Sequence, residues 1–158
     1  MSEMIFVNQP ATDPSQAANP SNQAGWTTAA MLAGRLIFAL VFIMAVSFKL
    51  MNISATAGYI ASEGFPLSQL LAWFAALLEL TLIACFLTGA YFSEAALMAV
   101  ACVLFLAFAF HGPSHWAANQ AEFGFFVDHF TFIAGLLFAA THGPGRVLAM
   151  KRGWINRQ

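Results

Sequence analysis

The stretch TTAAMLAGRLIFALVFIMAVSFKL, Thr27 to Leu50, decides the fold. Its only ionisable residues are Arg35 and Lys49, and it exceeds the about 20 apolar residues a helix needs to cross a bilayer. Three blocks of the same character follow, from about Leu67 to Leu87, Phe92 to Phe110 and Phe123 to Thr141. Gly64 and Pro66, Gly89, Gly112-Pro113 and Gly143-Pro144-Gly145 separate or end them, as helix stops do. Lipid offers no partner to a backbone polar group, so the spacing predicts an all-α integral membrane protein, an antiparallel four-helix bundle.

Composition points the same way: 60% of the 158 residues are hydrophobic and 8% charged. That leaves one membrane domain, 27–145, between a polar N-terminal tail, 1–26, and a basic C-terminal tail, 146–158. The first 25 residues carry no Lys or Arg and lack the basic region a secretory signal needs, so they read as a tail without structure of its own. Six Lys and Arg with no basic face exclude nucleic-acid binding. Arg146, Lys151, Arg152 and Arg157 all follow the fourth block, so the positive-inside rule predicts both termini in the cytoplasm. Trp26, Trp116 and Trp154 fall at expected interfaces. Between the first two spans, residues 54–64 offer an N-cap at Ser54 and a stop at Gly64; a short surface helix and an irregular loop both fit.

Gly34-Arg35, Lys49, the segment AGYIASEGFP (57–66), Leu78-Glu79-Leu80, Phe110-His111 and Gly143-Pro144-Gly145-Arg146 together resemble the DoxX family in order and spacing. The resemblance spans about Met31 to Arg146. It implies a small four-helix protein of the bacterial inner membrane. Relatives include a membrane subunit of thiosulfate:quinone oxidoreductase and membrane partners of thiol- and superoxide-handling proteins. Family members often carry a Lys-Asn pair in the fourth span, where this chain has Asp128-His129, which reverses the charge there.

A charge in the hydrocarbon costs roughly 2.5–3.5 kcal/mol, so the ionisable residues are expected to face one another or a cavity. Arg35 and Glu79 lie at similar predicted depths and are expected to pair across adjacent helices. Lys49 and Asp128 form a possible second pair. Arg35, Ala39, Phe42, Val46 and Lys49 make one helical stripe, and Gly124, Asp128, Thr131, Gly135, Ala139 and His142 another. Both are expected to face the interior, with His129 about 100° round from Asp128. His111, His115, Glu122, Asp128 and His129 gather near one mouth with no metal spacing, and a histidine there could donate to a quinone carbonyl. Cys85 and Cys102 form no C-x-x-C, sit at different heights and read as packing residues.

No intrinsic cofactor or self-contained catalytic motif is apparent. The resemblance implies a quinone-linked membrane subunit of a larger oxidoreductase, with the lipid bilayer and other membrane subunits as partners and quinone the cofactor contacted. Arg35, Lys49, Glu79, His111, Asp128 and His129 are the candidate polar or quinone-contacting residues. The alternative is a non-catalytic accessory subunit whose charges pair helices. Transport is disfavoured, since no span is broken by Gly or Pro.

Overall fold

The structure, a computed structural model, describes residues 20–150 and 153–155, with side chains from residue 24. Residues 1–19 of the tail expected over 1–26, and Lys151, Arg152 and Arg157, lie outside the described residues. Helix α1 runs Pro20–Met51, α2 Ile53–Ser62, α3 Ser68–Thr88, α4 Phe92–His111, α5 Pro113–Trp116 and α6 Ala121–His142. Four of these are long and apolar enough to cross a membrane: α1, α3, α4 continued through α5, and α6. All four predicted spans are present. The first begins seven residues earlier than expected, because Pro20 fits the first helical position and Gln, Ala and Thr extend the helix outward.

The chain forms an antiparallel bundle in which α1 lies against α3, α3 against α4 and α4 against α6. Ala72, Ala76, Ala96, Ala99 and Ala107 are fully or almost fully buried, and these small side chains let the backbones approach closely. Phe42, Leu82, Phe86, Phe92 and Leu136 fill the space around them. Backbone approach between α1 and α6 is slight by comparison. There the gap is bridged by side chains, with Phe132 of α6 5.4 Å from Phe38 and 5.9 Å from Phe42, ring centre to ring centre.

The two ends of the bundle differ. At the end where α1 begins and α6 finishes (the tail end), residues 143–150 and 153–155 fold back over the helices. Met150 N–H donates to the Thr88 carbonyl at 2.8 Å. Glu94, in the first turn of α4, accepts the backbone N–H groups of Trp154 and Ile155, the latter at 2.9 Å. Gly89 permits this closure: its φ is 73°, and a Cβ there would come within 3.0 Å of Ala149 Cα. Over its described residues the basic C-terminal tail is therefore a strap.

At the opposite end α2 covers the mouth. The segment is a helix, but its cap is Asn52 rather than Ser54. Asn52 Oδ1 accepts the Ala55 N–H at 3.0 Å, which places the cap two residues before the expected one.

Candidate functional site

Arg35 is 3% exposed and pairs with no carboxylate among the described residues. Its Nε donates to the Phe86 carbonyl at 3.1 Å. Nη1 donates to Pro144 and Val147 at 3.1 and 2.9 Å, and Nη2 to Leu87 and Leu148 at 2.8 and 2.9 Å. Five guanidinium N–H groups thus meet five carbonyls, two from the last turn of α3 and three from the strap. The negative end of the α3 dipole adds to the match. The expected Arg35–Glu79 pair is not formed. Arg35 stands level with the last turn of α3, whereas Glu79 lies about 10 Å further along that helix.

Glu79 pairs instead with Lys49, Nζ to Oε1 at 2.8 Å. Side chains on a helix lean toward its N-terminus. In the antiparallel α1–α3 pair, Lys49 leans down from the α2 end while Glu79 leans up toward it, so the two converge. The same lean carries Arg35 away from Glu79, toward the α3 carbonyls. The expected Lys49–Asp128 pair is likewise absent; Asp128 is exposed and makes no ion pair or hydrogen bond among the described residues. Glu79 is 4% exposed, and its Oε2 is buried with no hydrogen-bond partner.

These residues border a cleft of about 300 Å³ between α1 and α6, lined on α1 by Val41, Phe42, Ala45 and Lys49. Glu79 comes from α3, Val103 and Leu106 from α4, and Asp128, His129 and Phe132 from α6. Its sides are apolar and its inner end polar. Val41 and Asp128, both exposed, bring the cleft to the outer surface of the bundle between α1 and α6. The α1 stripe faces inward as expected, with Ala39, Phe42 and Val46 all buried. The α6 stripe does not. Ile133, Leu136 and Ala140 hold the core, so Gly124, Asp128 and Thr131 are turned to the α1 side and the surface. Asp128 and His129, though about 100° apart, both reach the cleft because it wraps that arc of α6.

Beneath α2 lies a second cavity of about 500 Å³, sharing Ala45, Lys49, Leu106 and His129 with the cleft and adding Tyr59, Phe110 and His111 among others. His111 Nδ1 lies 2.5 Å from Glu122 Oε2. The His111 and His129 rings are 5.0 Å apart, centre to centre. His129 Nδ1 is 2.6 Å from the Phe125 carbonyl, a contact only a donating N–H can make. His115, on α5, pairs with Glu63 of the α2 C-cap at 3.5 Å. Burial pushes the Tyr59 phenol above its ordinary range, and the Glu63 and Glu122 carboxylates push it further. Of the six candidates, Lys49, Glu79, Asp128 and His129 come together, His111 joins them through the second cavity, and Arg35 stands apart. Glu122 lies with His111 at one mouth, as the sequence suggests, and Glu63 and Tyr59, not among the sequence candidates, join them there.

The DoxX family model matches residues 30–112, more than half of the chain. The chain belongs to the DoxX family. No curated protein and no solved structure matches it. The matched region of this DoxX protein includes Arg35, Lys49, Glu79 and His111, while Asp128 and His129 lie beyond it. The side of the cleft contributed by α6 is thus the part outside the family match.

Proposed function

We propose that this DoxX protein is the membrane subunit of a quinone-linked redox complex and holds a quinone headgroup in the α1–α6 cleft. The observation that carries the reading is the cleft itself. It opens toward the bilayer, has aromatic and aliphatic sides, and ends on a buried carboxylate with one oxygen unpartnered. Its size and its few convergent polar groups suit a small organic ring. A buried acceptor left without a donor costs about 1–3 kcal/mol, a cost that a ligand hydroxyl on Glu79 Oε2 would relieve. The Lys49 ammonium and a protonated His129 could donate to a ligand carbonyl.

A quinone supplies the capacity to take two electrons and two protons. The chain's residues bind and orient it and exclude water, while the electrons come from a partner protein that oxidises a thiol or an inorganic sulfur compound. The basic residues that follow the fourth span, Arg146, Lys151, Arg152 and Arg157, support putting that partner's docking side and both termini in the cytoplasm of a bacterial inner membrane, by the positive-inside rule.

A second reading, an accessory subunit whose charges only lock helices, draws on Arg35, whose carbonyl cage is wholly structural. Glu79→Gln and Asp128→Asn separate the two. In the intact detergent-purified complex both substitutions should abolish quinone reduction, and each should block labelling of the cleft by a photoreactive quinone, without altering subunit composition. Loss of assembly, or unaltered turnover, favours the accessory reading and refutes the quinone site.

A further inference from the structure

Access of protons to the cleft differs between the two ends of the bundle. Toward the tail end Ala39, Phe42, Leu82, Phe86 and Leu136, all buried and apolar, stand between Glu79 and a tail-side cavity of about 420 Å³ that Arg35, Phe38 and His142 border. Beyond them Arg35 has its five donors committed to carbonyls. Toward the α2 end the groups are titratable and in sequence. Glu122 touches His111, His111 lies ring against ring with His129, and His129 borders the cleft beside Glu79 and Asp128.

We propose that His111 and His129 form a proton relay that connects the cleft to the α2 face and not to the tail face. His111 has the geometry of a through-ring relay: Nδ1 faces the Glu122 carboxylate, and Nε2 remains for the onward transfer. The ring separation of 5.0 Å allows that transfer directly or through one water. His129, whose Nδ1–H is held by the Phe125 carbonyl, takes up and passes on the proton at Nε2. The groups facing His111 are Glu122 and His129 of α6, with Tyr59 of α2 and Lys49 of α1 across the shared cavity. Those facing His129 are His111 of α4, Lys49 of α1 and Glu79 of α3, besides Asp128 of its own helix.

What the protons are used for rests on the quinone reading. Reduction there takes two electrons from the partner protein and two protons through the relay from the α2 side, and oxidation of the quinol returns both protons to that side. The relay itself is testable without quinone. In oriented proteoliposomes of the full chain carrying 15N-histidine, NMR would follow both rings while pH is changed on one side at a time. Both should titrate with pH on the α2 side alone, and Glu122→Gln should displace both titrations. Response to tail-side pH, or displacement of His111 only, overturns the relay.

In the intact complex, His111→Phe should lower quinone reduction by at least about tenfold with photoreactive-quinone labelling unchanged, and added imidazole should restore part of the rate. Glu122→Gln, which keeps a hydrogen-bonding partner for His111, should shift the pH profile of turnover and so serves if the Phe variant fails to assemble. Wild-type turnover with an unshifted profile in both overturns the relay. If wild-type chain takes no quinone label, the quinone reading fails, and side-specific titration alone then decides the relay.

Discussion

Replacing Arg35 tests the claim that its guanidinium is a structural clamp rather than part of a polar site. Lysine offers three donors where arginine uses five, so at least two carbonyls of the cage lose their partner. Four of the five bonds are only partly buried, at an end of the bundle that water can reach, so each loss there is set at about 1 kcal/mol. Arg35→Lys should therefore cost about 2 kcal/mol. Arg35→Met orphans all five, including the fully buried Phe86 carbonyl at about 2 kcal/mol, for a total near 6 kcal/mol. At roughly 2–4 °C per kcal/mol the Lys variant should melt about 6 °C lower and the Met variant about 18 °C lower. Thermal unfolding in a mild detergent, followed by circular dichroism, reads both. A Met variant within about 3 °C of wild type, or a Lys variant no less stable than wild type, would refute the clamp.

Lys49→Met strands the Glu79 carboxylate in an apolar setting and should cost about 3 kcal/mol, while the double variant Lys49→Met with Glu79→Leu should recover most of it, by unfolding in mixed micelles. Gly89→Ala forces a Cβ into both an unfavourable φ and Ala149, so it should destabilise by more than about 1 kcal/mol and expose the strap beyond Gly145 to limited proteolysis; a strap as resistant as wild type contradicts the close approach. Tyr59 should ionise above the ordinary phenol range of about pH 10 in an ultraviolet titration, and Glu63→Gln should bring it down. Because the folded-state value is the raised one, its stabilising contribution is full below about pH 10 and fades as pH rises through the folded value.

Span number and order were legible because a bilayer imposes length and apolarity on any helix that crosses it, and Gly89, Gly112-Pro113 and Gly143 mark the breaks. The inward stripe of α1 was legible for the same reason. Its counterpart on α6 was not, since polar and small residues can border a lateral cleft as readily as a core, and Ile133 and Leu136 decide the matter only once α4 is in place. The pairing of charges failed on two counts. Depth measured from the edge of the apolar block at Thr27 misleads because α1 extends to Pro20, and depth alone omits the lean of side chains. Applied to antiparallel helices, that lean alone sends Lys49 toward Glu79 and Arg35 away from it. The carbonyl cage could not have been found, because its strap follows Gly143 with no periodic pattern.

The cage also imposes an order on biogenesis. Its acceptors come from residues 86–87 and 144–148, whereas Arg35 emerges from the ribosome long before either. Until the last helix has inserted and the strap has turned back, the guanidinium lacks at least the three acceptors of the strap, which headgroups must replace. A nascent chain that stalls before Gly143 therefore presents a cation at its first helix that is short of three of its five acceptors.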